Sequence, residues 1–572
     1  MAPQNLPLTD IKLSHRETAI ISLLTVLGAL IRLSGFPRLG LVHFDEGTYA
    51  LAGLWVLSRD GLLSLDPRII AYAPGGFPVL VGLSYLAAGV SDWSAILVSV
   101  AAGTLTIPLA GWVGRRTFGP GAGGAAAAFA CLSGFHVAFS RMALTDALFL
   151  CTWILALGIG QRFLELPGFV TGVHLGLGVG LSQLVKYHGW IAGFLVIVTA
   201  VWGALWDRVE RTPSRLRSIW GFGLIAAVVA AGLYWPWYRF VEAHGGYSAL
   251  LDHHRGYLGG LASWPRFWYA QLDQVAALSG GPLWNAGGWL LACLAGGMAL
   301  APLRGLDPIR GAVSVVGLLP LFALAPTSSW WIGIAWLFVR SPVASAAERL
   351  LGGAWVILSL LTPFYHPYAR LWLPLLAIGW LLQAGLVARL LGWTGKRGEG
   401  ALRLGADRLG LRIGVVILSA GIALAQGIHW SSAVSDREPL PSPLSRSDSL
   451  RNAVKLIERQ LPVELKELHL LARPTVTYYL LGKAVLRLHP DLESLLGAAS
   501  DSNWAIVDLT LLGPEPARES SLARLRSRWE LVCDQTSELN LPTLLDVDPG
   551  AARGLEPRAA HAPLWLLRPK LR

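Results

Sequence analysis

The chain has 572 residues, 53% of them hydrophobic and only 15% charged, with a mean hydropathy of +0.51, which is too little polar surface for a wholly soluble protein of this length. The formal net charge of +11 does not point to nucleic acid, because the arginines cluster in short loops between apolar runs, as the positive-inside rule requires of a membrane protein. Four cysteines (Cys131, Cys151, Cys293 and Cys533) have neither the spacing of a disulfide framework nor that of a metal site.

The first apolar run, 18–36, follows Lys12 and Arg16, and no A-x-A-like cleavage site follows it. It reads as a retained span with a cytoplasmic N-terminus, and Arg32 can snorkel to the interface. An outer loop, 37–93, comes next. Its apolar stretch 76–90 is short. If it crossed the bilayer, Arg115, Arg116 and the run Arg208, Arg211, Arg215, Arg217 would lie outside, so it is expected to be juxtamembrane or re-entrant. Spans then follow at 94–113, 121–139, 143–163, 168–185, 189–206 and 219–240. After a second outer loop, 241–282, further spans are expected at 283–303, 311–324, 330–346, 351–364, 371–391 and 411–428. This keeps the basic stretch from Arg389 to Arg412 inside.

The predicted fold class is therefore a polytopic α-helical membrane protein of about thirteen spans (residues 1–429) with a small soluble α/β domain (430–572) on the extracytoplasmic side. A proline-bearing linker opens that domain. A helix is expected over 448–460, behind a Ser447/Asp448 cap. "LHLLAR" from Leu468 and "WAIVDLTLL" from Trp504 read as buried strands, "EPARESSLARLRSRW" as a helix and "ELVCD" as a strand. No nucleotide-binding glycine motif is present in this domain, and a supporting or acceptor-docking role is expected of it.

This topology sorts the polar residues that apolar runs do not explain onto one side. "HFDEGTY" (43–49) puts Asp45 and Glu46 just after the first span, where one carboxylate can act as base while the other orients it or binds a cation; a solvated acidic loop is the plainer reading. In "SRMALTDALF" (140–149), Arg141 carries a phosphate-matching fork, while Asp146 also suits a helix N-terminus. "KYHGW" (186–190) places Lys186, Tyr187 and His188 where a cation can meet a lipid phosphate or anchor an interface. "YHPYARLWLP" (365–374) brings His366, Tyr368 and Arg370 to a helix entry. "DHHRGYL" (252–258) offers a His pair for a metal or simply for solvent. A transporter would hold ionisable groups near mid-span instead.

Together these residues resemble the polyprenyl-phosphate-dependent glycosyltransferases of the C-type fold, the branch with protein O-mannosyltransferases and the aminoarabinose transferases that modify lipid A. The resemblance rests on Asp45, Glu46 and Tyr49 in the first outer loop, on "YAPGGFPVL" from Tyr72, and on the R-x4-D of Arg141 and Asp146. It implies a multi-pass enzyme of the prokaryotic cell (inner or plasma) membrane. Such an enzyme moves a monosaccharide from a polyprenyl-phosphate donor to a hydroxyl of a lipid, protein or glycan acceptor, with inversion. Asp45 would be the general base, beside Glu46 and Asp146. Tyr49, Tyr72, Arg141, Lys186, Tyr187, His188, His366, Tyr368 and Arg370 would bind substrate. Several relatives carry a lysine beside the proline of the first loop; here the neighbourhood reads Tyr72, Ala73, Pro74, so phosphate binding falls to Lys186, Arg141 and Arg370. A divalent metal near Asp45, Glu46 and Asp146 is compatible with the spacing but not demanded by it. The rival readings are a lipid or solute transporter and a non-catalytic partner subunit.

Overall fold

The computed structural model describes residues 15–58, 73–206, 212–279, 345–390, 447–498, 503–512, 515–547 and 561–570. Tyr72, the spans expected at 283–303, 311–324 and 411–428, nearly all of 330–346, and the linker from 430 to 446 lie outside the described residues.

The helical part runs through α1 (His15–Leu33), α2 (Phe44–Ser58), α3 (Gly76–Ala88), α4 (Asp92–Phe118), α5 (Ala122–Leu132), α6 (Gly134–Ser140), α7 (Thr145–Glu165) and α8 (Phe169–Val185). It continues through α9 (Ile191–Trp206), α10 (Pro213–Ala243), α11 (Gly246–Arg255), α12 (Trp264–Ser279), α13 (Ala346–Leu361) and α14 (Leu373–Leu390). Among the described residues α4, α7 and α10 are long and apolar enough to cross a membrane singly, and the bent pair α5–α6 would make a fourth span.

That bend changes one expectation. The run 121–139, read as a single span, is broken by 60° between α5 and α6. Ser133 leaves the helical conformation and accepts the His136 N–H, so a new helix starts where hydropathy alone sees continuity. Helix α3 has 13 residues. At about 1.5 Å per residue it spans roughly 20 Å, short of a bilayer core of about 30 Å. It lies against α2 so closely that a Cβ on Gly53 would stand 2.6 Å from Val81 Cγ1.

Ion pairs fix which helix ends share a level. Arg115, at the end of α4, meets Glu17 at the start of α1 at 2.8 Å, and Arg116 meets Glu165 at the end of α7 at 2.5 Å. Following α1 away from Glu17 leads to the opposite end of the bundle, where His43, Asp45, Asp146, Lys186 and Arg370 gather.

The C-terminal part comprises α15 (Ser449–Glu458), β1 (Glu467–Leu471), α16 (Pro474–Tyr479), β2 (Val485–Leu488), α17 (Leu492–Gly497), β3 (Trp504–Asp508), α18 (Glu515–Arg528), β4 (Trp529–Glu538), α19 (Leu541–Val547) and β5 (His561–Pro569). Its sheet has the order β2-β1-β3-β5-β4, with β1 parallel to β2 and β3, and β5 antiparallel to β3 and β4. Alternation along the strands sends Leu468, Leu470, Ile506, Leu564 and Leu566 to one core with α15, and Ala505, Val507, Trp565 and Leu567 to the other with α17 and α18.

This sheet does not float free of the helices. Ser447 Oγ accepts the Gly40 N–H at 3.0 Å, Tyr479 Oη accepts the Leu41 N–H at 2.6 Å, and Arg473 Nη1 donates to the Val42 carbonyl at 3.3 Å. Arg451 pairs with Asp92 at 2.8 Å. At Gly47 a Cβ would sit 2.1 Å from the Thr475 nitrogen, so only glycine lets α2 and α16 approach this closely.

Candidate active site

The site begins with a carboxylate that organises backbone. Glu46, in the first turn of α2, is fully buried. It accepts N–H groups from Val42 (2.8 Å), His43 (2.9 Å) and Ala143 (2.8 Å). These bonds cap α2 and tie the segment after α1 to the chain entering α7. Burial pushes the Glu46 carboxyl up, against the pull of the three donors. Its partner in the sequence motif does something else. Asp45 is partly exposed, and its carboxylate meets Arg370 Nη1 at 2.6 Å. Burial acts to raise the Asp45 pKa, but Arg370, then His43, and finally Lys186 outweigh it and hold the carboxyl below the usual range.

Arg370 projects from a 3-10 turn, Ala369–Trp372, with its guanidinium carbon 4.9 Å from the Tyr368 ring centre. Besides Asp45 it reaches Asp546 Oδ2 through Nε at 3.2 Å. The same Asp546 oxygen lies 3.2 Å from His43 Nε2, while His43 Nδ1 accepts the Asp45 N–H at 3.0 Å. Asp45, Arg370, Asp546 and His43 therefore form one closed polar circuit drawn from the segment after α1, the turn before α14, and the C-terminal sheet region.

A second ion pair stands beside it. Asp146 Oδ1 meets Lys186 Nζ at 2.5 Å, and Asp146 is almost wholly buried, with Oδ2 unpartnered among the described residues. Lys186 caps the end of α8 and Asp146 opens α7, so the pair joins two helix ends. Asp146 acts on Arg370 and Lys186 on Asp45, which makes the two pairs one electrostatic unit.

The remaining sequence candidates separate. Tyr49 is buried edge-on to Phe77, centroids 5.5 Å apart, within electrostatic reach of Asp45, Arg370 and Asp146. Arg141, expected to be a phosphate cation, instead donates through Nη1 to the carbonyls of Ile31 (3.4 Å), Arg32 (2.9 Å) and Ser34 (2.5 Å), where α1 ends. Tyr187 Oη accepts from Trp237 Nε1 at 3.2 Å, and His188 lies edge-on to Phe149 at 4.7 Å. His366 packs on Tyr368 at 4.6 Å. Tyr257, Tyr365 and His254, from the last turn of α11, the turn after it and the 365 segment, extend this into an aromatic shelf, with Tyr257 stacked on Tyr365 at 5.8 Å and His254 Nδ1 bonded to Tyr365 Oη at 2.8 Å. Asp252 is solvated and pairs with Arg255. Among the described residues no group of three or more His, Cys, Asp or Glu is placed to hold a metal ion.

Sequence reasoning missed Asp546. It lies in "PTLLDVD", which has no periodic or motif signal, and its partners are 503 residues (His43) and 176 residues (Arg370) away in the chain. Only tertiary structure makes it a site residue.

Residues 73–235 match the family model described as dolichyl-phosphate-mannose-protein mannosyltransferase. The whole architecture is similar to a crystal structure of ArnT from Cupriavidus metallidurans bound to undecaprenyl phosphate, at TM-score 0.58 and 14% identity, over 96% of this chain and 98% of that one. It is also similar to the archaeal oligosaccharyltransferase AglB from Archaeoglobus fulgidus, in complex with an inhibitory peptide and a dolichol-phosphate, at TM-score 0.51 and 10% identity, over 90% of this chain and 73% of that one. No curated protein matches the chain in sequence. The family match carries the activity class and the solved structures carry the fold: this is a membrane glycosyltransferase with the C-type architecture.

Proposed function

We propose that the protein transfers a monosaccharide from a polyprenyl-phosphate donor to an acceptor hydroxyl at the extracytoplasmic face, with inversion and with Asp45 as general base. The observation that carries this reading is the Asp45–Arg370 pair: a partly exposed carboxylate and a strong cation, 2.6 Å apart, at the bundle end away from Arg115 and Arg116. Asp146 and Lys186 support it from the buried side. The bound lipid phosphates of the two structural neighbours are of the donor class this reading requires.

In the reaction the acceptor oxygen attacks the anomeric carbon as its proton passes to a carboxylate oxygen of Asp45. The bond from that carbon to the phosphate oxygen breaks, and the electron pair leaves with the polyprenyl phosphate, whose charge rises by one. Arg370, with Lys186 behind it, stabilises that charge as it develops. Attack from the face opposite the phosphate inverts the anomeric centre. Tyr368, His366 and Tyr257 offer ring faces on which a pyranose can lie. Arg141 serves by holding the end of α1, and Glu46 by holding the backbone of Val42, His43 and Ala143 around Asp45.

Asp45→Asn keeps the size of the side chain and removes the base. Turnover of a radiolabelled sugar from polyprenyl phosphate should fall by about 10²–10⁴, while undecaprenyl phosphate still binds. Parent-like turnover would remove Asp45 from the chemistry and leave Asp146 as the candidate base. Failure of the parent to turn over any member of a panel of polyprenyl-phosphate sugars, with the lipid unbound, would return the transporter reading.

A further inference from the structure

Asp45 is tied to Arg370 in the structure, which leaves the base neutralised and the cation occupied. An anionic donor must break that pair before either group can act on it. The geometry says which contact gives way. Arg370 presents two separate edges: Nη1 to Asp45, which is partly exposed, and Nε to Asp546, which is buried. The Nη1 edge faces the open side of the site. The Nε edge faces the sheet domain, where Asp546 also holds His43 and where Gln274 Nε2 donates to the carbonyls of Pro367 and Leu545, tying α19 to the 365–370 segment at 2.7 and 3.4 Å.

We infer that the C-terminal domain completes the donor site: Asp546 is a positioning residue that anchors Arg370 by Nε, so that a lipid phosphate can displace Asp45 from Nη1, and this exchange frees Asp45 to act as base only when donor is bound. The inference rests on the function proposed above. It gives the sheet domain a part in donor binding itself, and it makes base activation a consequence of that binding. A guanidinium can do this because its edges are independent donors in a rigid plane; a lysine ammonium has no second edge to keep. The other charged and titratable groups facing this pair among the described residues are Asp146, Tyr49, Tyr365 and Tyr368 toward Arg370, and His43, Lys186 and His253 toward Asp45. None of them bridges the two carboxylates as Arg370 does.

The exchange makes opposite predictions for two chemically identical substitutions. Binding of undecaprenyl phosphate alone to the full-length protein in detergent is the measurement. Asp45→Asn removes the competitor for Nη1 and should tighten binding, by about fivefold or more, a shift of about 1 kcal/mol. Asp546→Asn removes the anchor and should weaken it by about tenfold, although it also deletes a negative charge. If charge alone governed the site, both substitutions would tighten binding, and that result would overturn the inference. So would an Asp546→Asn protein that binds like the parent. Asp546→Glu, which can still reach Nε, should recover most of the lost affinity, whereas damage to the fold would not be rescued by a longer side chain. Should Asp546→Asn fail to fold, Arg370→Lys tests the same geometry. With one donor head it cannot hold Asp546 and phosphate together, and parent-like lipid affinity in that variant would equally overturn the exchange. Loss of turnover in Asp45→Asn with unchanged lipid affinity would leave the proposed base intact and refute only the exchange.

Discussion

The two ion pairs at the active end of the molecule differ in how they are held. Asp146–Lys186 joins the ends of two neighbouring helices, with Asp146 at 2% and Lys186 at 14% side-chain exposure. Asp45–Arg370 joins a loop-born helix to a 3-10 turn, is shared with a third residue from another domain, and leaves Asp45 at 29%. The first pair is part of the scaffold and the second is placed to exchange partners. Desolvation is the reason. Separating a buried pair strands a charge in low dielectric, while a partly wet carboxylate can take water in place of its cation.

Removing one member of the buried pair tests this contrast most strongly. Lys186→Ala strands Asp146 and should cost about 3–5 kcal/mol of stability. Asp45→Asn should cost much less in the same thermal-unfolding assay. Lys186→Ala combined with Asp146→Ala should recover a large part of the loss, because the stranded charge is then gone. Equal destabilisation by the two single variants would erase the distinction between scaffold pair and exchangeable pair.

A smaller effect is expected at the seam between the domains. Gly47→Ala drives a Cβ into the Thr475 nitrogen, so α2 and α16 must part. Overpacking of this kind costs about 1–3 kcal/mol, and it should also expose the sheet domain to limited proteolysis while the helical part stays intact. Parent-like stability and protease resistance in Gly47→Ala would mean that the sheet domain docks too loosely to hold Asp546 in register.

The smallest effect concerns pH. Arg370, with His43 and Lys186, outweighs burial and holds the Asp45 carboxyl of the folded protein below its ordinary value of 3.8. A depressed carboxyl contributes stability that is fully present above the unfolded pKa and is lost as pH falls through the folded one. The stability difference between the parent and Asp45→Asn should therefore be constant from neutrality to about pH 5. It should shrink only in strong acid, by at most about 1.4 kcal/mol per pH unit. A difference that vanished near pH 6 would show that the carboxyl is raised and that its pairing with Arg370 is weak.

Much of this was legible in the chain. Hydropathy and arginine placement gave the helical bundle, and the shortness of 76–90 marked α3 as too brief to span, because a helix has a fixed rise and a bilayer a fixed thickness. The short apolar runs from Leu468 and Trp504 gave β1 and β3 as buried strands, and "ELVCD" gave β4. Missed elements had weak local signals: β2 has four residues with an exposed alternate face, and β5 carries Pro563 and Pro569, which argue against a strand. The 60° break at Ser133 was hidden because a cap is a hydrogen bond and not a hydropathy value.

For the site, sequence determined the list of chemically able residues and their common end of the bundle, since both follow from residue type and helix parity. Tertiary structure decided the division of labour. Glu46 and Asp45 are adjacent and chemically alike, yet one is surrounded by backbone N–H groups and the other faces a guanidinium. Arg141 had the charge for a phosphate, but the carbonyls ending α1 take it. Asp546 was invisible until the C-terminal sheet region packed against the segment after α1. The physical reason is common to all three: a side chain's type is written in the sequence, but its partners, and hence its charge state and freedom to react, depend on which distant residues folding brings within about 3 Å.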